Sequence, residues 1–340
     1  MTIKKSKRVS LKDIADRVGV STALVSYVLN GQEKEKRVGA EVVIKIRKAL
    51  KEMNYKPHHI ARSLRYGTTQ TIGLIVADIA NPFFGSMARF IEDEATKAGY
   101  TLIIGSSDES CTKTDTLVNT LMNRQVDGFI LVPAEGCTEF VQNLLNEKIP
   151  VVLVDRYIPE VSTSYVVLDN YAATYDATNY LVTKGYQKIG MIAYKSSLIH
   201  MKDRIRGYED AMKANGLGKN VWVKYIKYKN LESDMSRVIT SISGKGGSKI
   251  DALFFATNTL SIAGLYKIRD LQLKVPEDLA LIGFDGNEAF DFFYSPLTYV
   301  EQPVGEMSKE AVRILLDQMA GSEKISSIRL RANLITRDSC

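Results

Sequence analysis

Between Ser10 and Gly31 the chain reads SLKDIADRVGVSTALVSYVLNG, two short stretches of helical periodicity separated by a glycine. Ser10 is an N-cap, and Leu11, Ile14, Ala15 and Val18 then recur on one helix face. Gly19 supplies the positive φ that a turn needs. Ser21 caps a second helix whose inward stripe is Leu24, Val25, Val28 and Leu29, which leaves Thr22, Ala23, Ser26 and Tyr27 pointing outward. Helices this short are marginal in water and need a third to pack on. Val42, Val43, Ile46, Ala49, Leu50 and Met53 provide it. The result is a helix-turn-helix, the geometry that enters a DNA major groove.

Any three-helix bundle carries such stripes, and charge separates the two readings. Residues 1–67 hold 16 Lys and Arg against 6 Asp and Glu, leaving 29 against 33 for the rest of the chain. All of the basic excess therefore sits on the first fifth, the footprint of a nucleic-acid-binding module joined to a near-neutral partner domain.

At 340 residues and 45% hydrophobic content the chain can bury two or three cores. No apolar run is long enough for a transmembrane helix, and MTIKKSKRVS lacks the apolar region of a secretory signal, so a cytoplasmic protein without membrane association is expected. Cys111, Cys137 and Cys340 are widely spaced, which fits reduced thiols better than a disulfide framework or a zinc site. His58, His59 and His200 offer little material for a metal centre or a catalytic triad. Neither GxGxxG after the first strand nor GxxxxGK[ST] is present, so no enzyme activity, metal or cofactor is expected.

Pro57 breaks the third helix, and 58–65 can form a short helix that needs a partner for stability. From Thr71 the pattern changes to β-rich runs alternating with amphipathic helices. TIGLIVA, YTLIIGSS, GFILVPA and PVVLVDR are separated by helical patterns over 83–99, 113–125 and 138–148. A second series follows: VVLDN, KIGMIAY, VWVKYIKY, DALFFA and LALIGFD, with helices over 171–184, 204–215, 231–243 and 260–270. Runs apolar on both faces and separated by helices mean parallel, doubly wound sheets. Two series of similar size predict two Rossmann-like lobes with a cleft between them. A helix over 304–319 and one closing strand, IRLRANLI, end the chain.

LKDIADRVGVS with VSYVLNG, Asn54-Tyr55-Lys56-Pro57, ARSLR, IGLIVADIANPFF, VDGFILVP, PVVLVDR, DRIRGYEDAM, VPEDLALIGFDG, SPLT and EQPVGEMSKEAVRILL occur in this order. Together they resemble the lac-repressor (LacI/GalR) family of bacterial transcription regulators along nearly the whole chain. The resemblance implies an all-α helix-turn-helix head (1–56), a hinge helix and linker (57–70), and an α/β periplasmic-binding-protein-like core (71–340). It also implies a homodimer on a pseudo-palindromic double-stranded operator, and three chain crossings between the lobes, placed near Leu168, Glu301 and Ser326. These divide the core into lobe 1 (71–168 and 302–326) and lobe 2 (169–301 and 327–340).

Carried over from the family, base reading falls on Thr22, Ala23 and Tyr27, where many relatives have Arg or His at the last position. Ser21, Ser26 and Asn30 are placed for phosphates. ARSLR matches the hinge helix that lies in the minor groove, with Leu64 as its wedge, Ala61 allowing close approach and Arg62 and Arg65 near phosphates. His58 stands where many relatives have Asn.

Ligands of such folds sit beyond the carboxyl ends of the strands, which nominates Asp78, Asn81, Phe83, Phe84, Ser107 and Asp108 from lobe 1. Lobe 2 contributes Asp169, Asn170, Arg204, Asn258 and Asp285. Arg204 matches the family's arginine four residues before an aromatic, with a neighbouring carboxylate such as Asp203 as its other possible partner. The resemblance implies a sugar or sugar-derivative effector, but Asn258-Thr259 replaces the Asn-Asp of many sugar-binding relatives and Thr259 cannot accept two hydroxyls as a carboxylate does, which leaves a different sugar, a phosphorylated or acidic derivative, or a ligand other than a sugar as alternatives. The function expected is a repressor of carbohydrate-utilisation genes under allosteric control, or one controlled by a corepressor or protein partner. A transport binding protein shares the cleft but would need a signal peptide and no basic head.

Overall fold

The computed structural model describes residues 9–55, 68–243 and 250–340. The hinge residues His58, Ala61, Arg62, Leu64 and Arg65 lie outside the described residues.

The head consists of α1 (Leu11–Val18), α2 (Thr22–Leu29) and α3 (Ala40–Glu52). Ser10 closes a capping box: its hydroxyl accepts from Asp13 N–H at 3.2 Å, and its own N–H donates to the Asp13 carboxylate at 2.7 Å. Gly19 ends α1 at φ 77° and Ser21 caps α2 through Leu24 N–H. Ile14, Ala15, Val25, Val28, Val43, Ile46 and Ala49 form the small core where the three stripes meet.

The core is two six-stranded sheets flanked by helices. Lobe 1 holds β1 (Thr71–Val76), β2 (Thr101–Ser106), β3 (Gly128–Leu131), β4 (Val151–Val154), β5 (Ser164–Leu168) and β11 (Ser327–Leu330), in the order β2-β1-β3-β4-β5-β11, every pair parallel. Its helices are α4 (Pro82–Lys97), α5 (Cys111–Met122), α6 (Thr138–Asn146) and α12 (Val304–Met319). Lobe 2 holds β6 (Ile189–Tyr194), β7 (Trp222–Ile226), β8 (Ala252–Phe255), β9 (Ala280–Phe284), β10 (Thr298–Glu301) and β12 (Asn333–Ile335), in the order β7-β6-β8-β9-β10-β12, with β12 antiparallel to β10. Its helices are α7 (Asn170–Thr183), α8 (Ile199–Ala214), α9 (Leu231–Ser243), α10 (Asn258–Asp270) and α11 (Glu288–Phe292).

Central strands such as β3, β4, β8 and β9 are buried along their whole length, as expected for parallel sheets covered on both faces. In lobe 1 one face packs Met87, Ile91, Val312 and Leu315 of α4 and α12, and the other packs Val118, Leu121, Val141 and Leu144 of α5 and α6. In lobe 2 the α7 and α8 backbones meet at Gly207, where a Cβ would run into the carbonyl oxygen of Tyr171.

Three findings differ from the sequence expectations. IRLRANLI is not one strand: Ser327–Leu330 extends the lobe 1 sheet beside β5, and Asn333–Ile335 closes the lobe 2 sheet beside β10. The third crossing therefore falls between Leu330 and Asn333, not near Ser326, because Tyr165 N–H donates to Ser326 O and Asp169 N–H to Leu330 O, holding this stretch on lobe 1. Helix α8 begins at Ile199, ahead of the expected 204, since Leu198 starts it without a side-chain cap. Finally, Cys111 and Cys137 are joined by a disulfide rather than standing as separate thiols, and Cys340 is free. The sheet order places β2 and β3 on either side of β1, which brings the starts of α5 and α6 together on one face.

Candidate functional site: the cleft between the lobes

Loops at the carboxyl ends of strands from both sheets enclose a cleft of about 430 Å³. From lobe 1 come Asp78, Asn81, Phe83, Phe84, Asp108, Glu109, Glu135, Asp155 and Arg156; from lobe 2 come Tyr194, Lys195, Ser196, His200, Arg204, Tyr228, Asn258, Thr259 and Asp285, among others. A larger groove of about 750 Å³ opens outward from it between the start of α4 and helices α9 and α10, with apolar walls such as Leu231, Met235 and Ile262. The inner cleft holds the buried charges, and it is where ligand chemistry concentrates.

Arg204 is 2% exposed and fully positioned by its own lobe. Nε donates to Asn170 Oδ1 at 2.7 Å, Nη1 donates to Ala256 O at 2.6 Å, and the guanidinium lies 3.5 Å from the Phe284 ring centroid. Burial lowers its pKa, with Asp285 and Asp155 working the other way. Asp203 is not its partner; that carboxylate pairs with Arg206 at 3.0 Å. Asp285, at a φ of 65°, accepts from Gln302 Nε2 at 2.7 Å. Burial pushes its carboxyl up to about 6, against the pull of Arg204 and Gln302.

Arg156 is the second buried guanidinium. It grips Glu109 through Nη1 and Nη2 at 2.8 and 3.2 Å and Asp155 through Nε at 3.1 Å. Burial opposes its charge, but Glu109 and Asp155 outweigh that and raise its pKa. Beside it His200, on the first turn of α8, is 8% exposed, and its Nδ1 has no hydrogen-bond partner among the described residues. Burial first, then the charges of Arg156 and Arg204, hold this imidazole well below its ordinary pKa, so it is neutral at pH 7. The Tyr194 hydroxyl is likewise without a partner among the described residues.

Among the described residues, direct hydrogen bonds span the cleft at three places. Glu135 of lobe 1 accepts from Ser196 Oγ at 2.8 Å, Ser197 N–H at 2.5 Å and Ser197 Oγ at 3.0 Å. Asn258 Nδ2 donates to Asn81 Oδ1 at 3.0 Å, and the Tyr228 hydroxyl donates to Asp78 at 3.3 Å. Burial works against ionisation of Glu135, but its serine donors prevail and lower its pKa.

Asp78, Asn81, Phe83, Phe84, Asp108, Arg204, Asn258 and Asp285 of the expected set thus line one cleft. Three do not. Ser107 is fully buried behind the loop, Asp169 caps α7 through Ala172 N–H, and Asn170 is buried and serves the cleft through Arg204. Phe84 is 5% exposed, leaving little ring face for stacking. Asn81 is both N-cap of α4, accepting from Phe83 N–H at 3.1 Å, and acceptor for Asn258. Residues the sequence reading missed are Glu109, Glu135, Asp155, Arg156, Tyr194, His200 and Tyr228. Asp155 and Arg156 end PVVLVDR, so the strand-end rule applied to that run finds them.

In the head, Thr22 and Ala23 are exposed and Tyr27 is half-buried at the outer side of α2. The Ser21 hydroxyl is engaged as N-cap. Asn30 Nδ2 donates to Ser26 O at 2.7 Å and to Ser26 Oγ at 3.2 Å, so these two side chains brace one another.

Among the described residues no helix is long and apolar enough to cross a membrane. Residues 10–58 match the model of bacterial regulatory proteins of the lacI family, and residues 178–340 match a periplasmic binding protein-like domain. The chain is 32% identical over 335 residues to the HTH-type transcriptional repressor PurR of Vibrio vulnificus, covering 97% of this chain and 98% of that protein. It is 31% identical over 341 residues to the transcriptional repressor CytR of Escherichia coli, covering 99% and 97%. The crystal structure of the lac repressor dimer bound to operator and an anti-inducer shares the fold, with a TM-score of 0.86 at 20% identity over 98% of this chain and 99% of that one. A complex of the regulator CelR with cellobiose matches at a TM-score of 0.71 and 26% identity, covering 98% and 100%. With a helix-turn-helix head and a two-lobed core both in place, the chain belongs to the lacI family of bacterial transcriptional repressors.

Proposed function

We propose that this repressor acts in the cytoplasm as a homodimer on a pseudo-palindromic operator, and that its effector is a neutral, ring-shaped, hydroxyl-bearing molecule such as a sugar or sugar derivative, bound in the inner cleft. The observation that carries the ligand class is the excess of carboxylates over cations in the cleft. Its walls hold six carboxylates against four cations, and Arg156 is already matched by Glu109 and Asp155. An anionic effector gains little from a guanidinium that has two carboxylates of its own and meets repulsion from the rest. A neutral polyol can use the Arg204 edge, Asp285, His200 Nδ1 and the Tyr194 hydroxyl, and about 430 Å³ accommodates one or two sugar rings. The similar regulator CelR, whose structure is a complex with cellobiose, supports the same class. The genes it controls are then those of carbohydrate use. Titration calorimetry of the chain against neutral mono- and disaccharides, nucleosides, and their phosphorylated or acidic counterparts tests this. Heat with a phosphorylated or acidic compound and silence with every neutral one overturns the reading.

On DNA, Thr22, Ala23 and Tyr27 read bases, while the amides at the start of α2, with Ser21, Ser26 and Asn30, meet phosphates. None of the three readers has the fork that grips guanine through two bonds. Specificity therefore rests on pairing two heads and on Leu64 of the hinge wedging the minor groove. The cross-cleft contacts support control by lobe closure, because a ligand that binds one closure state better shifts the population between them.

A further inference from the structure

The Cys111–Cys137 bridge joins the two loops that shape the lobe 1 wall of the cleft. Cys111 opens α5 two residues after Glu109, the carboxylate that holds both terminal nitrogens of Arg156. Cys137 precedes α6 two residues after Glu135, the acceptor for Ser196 and Ser197 across the cleft. The two Cα atoms are 5.3 Å apart, within the span a disulfide requires. The two sulfurs also differ. Cys137 is 1% exposed, whereas Cys111 is partly open to solvent and stands at the first position of a twelve-residue helix capped by Ser110, where the free N–H groups favour an anion. Disulfides in a reducing compartment are chiefly transient and sensory.

We infer that Cys111 and Cys137 are a redox-sensing pair that sets how firmly the cleft is latched, with a hydroperoxide as the oxidant. The Cys111 thiolate attacks the peroxide, the O–O bond breaks, and a sulfenic acid forms as hydroxide leaves and takes up a proton. Cys137 then attacks the Cys111 sulfur, forming the S–S bond and expelling a second water. Two thiols and one hydrogen peroxide become one disulfide and two waters, the two electrons passing from sulfur to oxygen. In the bridged form the loops carrying Glu109 and Glu135 keep one spacing and the Glu135 latch to lobe 2 is steadied; in the dithiol form that spacing is free. The link to regulation rests on the cleft being the effector site, but the test reads cleft motion without any effector.

Full-length reduced protein is treated with hydrogen peroxide, alkylated and mapped by mass spectrometry, and hydrogen exchange is followed in peptides spanning 132–138 and 195–198. Oxidation is expected to join the Cys111 and Cys137 peptides, leave Cys340 open to alkylation, and slow exchange several-fold on both sides of the cleft. The Cys111→Ser variant, which changes the more open sulfur, is expected to fold as the parent does and to lose both responses; Cys137→Ser provides the second arm. Failure of the two peptides to join, pairing through Cys340, or a bridge that leaves exchange unchanged on the lobe 2 side each overturns the inference. A panel of effectors that all fail would not touch it.

Discussion

Asp285 shows how one buried group ties stability to pH. Its carboxyl titrates at about 6 in the folded chain, above the ordinary 3.8, so the folded state keeps a proton that the unfolded state releases. This carboxyl therefore favours the fold most at acid pH, and that contribution is lost as pH rises from about 4 to about 6. Asp285→Asn keeps an acceptor for Gln302 but cannot titrate. Melting curves from about pH 4.5 to about pH 7.5 should show a flatter dependence in the variant; superimposable slopes would mean the carboxyl is ionised throughout. Asn170 makes a separate case. It does not line the cleft, yet Asn170→Ala leaves Arg204 Nε without its 2.7 Å acceptor at a buried site. We expect a loss of about 1–3 kcal/mol in urea unfolding, together with weaker effector binding. The sequence marked Asn170 through its place at a strand end; only packing decided that it works through Arg204.

At the scale of elements, the α7–α8 contact depends on a missing side chain. Because a Cβ at Gly207 meets backbone and not a movable side chain, Gly207→Ala should destabilise the core by about 1–3 kcal/mol, whereas Gly216→Ala, with open space around it, is a control that bears only on the strain of its positive φ. Denaturant midpoints compare the two. The proposed hinge role of 57–70 calls for a DNA measurement. Leu64→Ala should leave the dimer intact and weaken binding to the specific operator far more than binding to random DNA; a mobility-shift series with equal losses on both would remove the wedge role. Caps made the two short head helices easy to place, as Ser10 and Ser21 each bond the first turn they precede, whereas the Ser110 cap went unread and its helix starts two residues before the expected 113. Helix α8 lacks such a signal, and its hidden first turn is what carries His200 into the cleft.

For the whole molecule, the separation of charge predicts behaviour that no single residue does. With the basic excess confined to residues 1–67, DNA affinity should fall steeply with salt, by about 10³-fold or more between about 50 and about 200 mM for a dimer meeting several phosphates per head. Binding of a neutral effector in the cleft should barely change. Fluorescence anisotropy and calorimetry in the same buffers check both halves, and parallel losses would mean that the effector is itself charged. The amino-acid sequence by itself determined the helix-turn-helix, the two β/α series, the sign of charge on each and most of the strand-end residues, because these are properties of local spacing and of composition over a few turns. Tertiary structure decided what depends on segments far apart in the chain. It divided the closing strand between two sheets, matched Arg156 to Glu109 across 47 positions, set Glu135 against Ser196 and Ser197 across 61 and 62, and joined Cys111 to Cys137. Such pairings carry no period that a linear pattern can show, since they arise only when the sheet order brings distant strand ends to one edge.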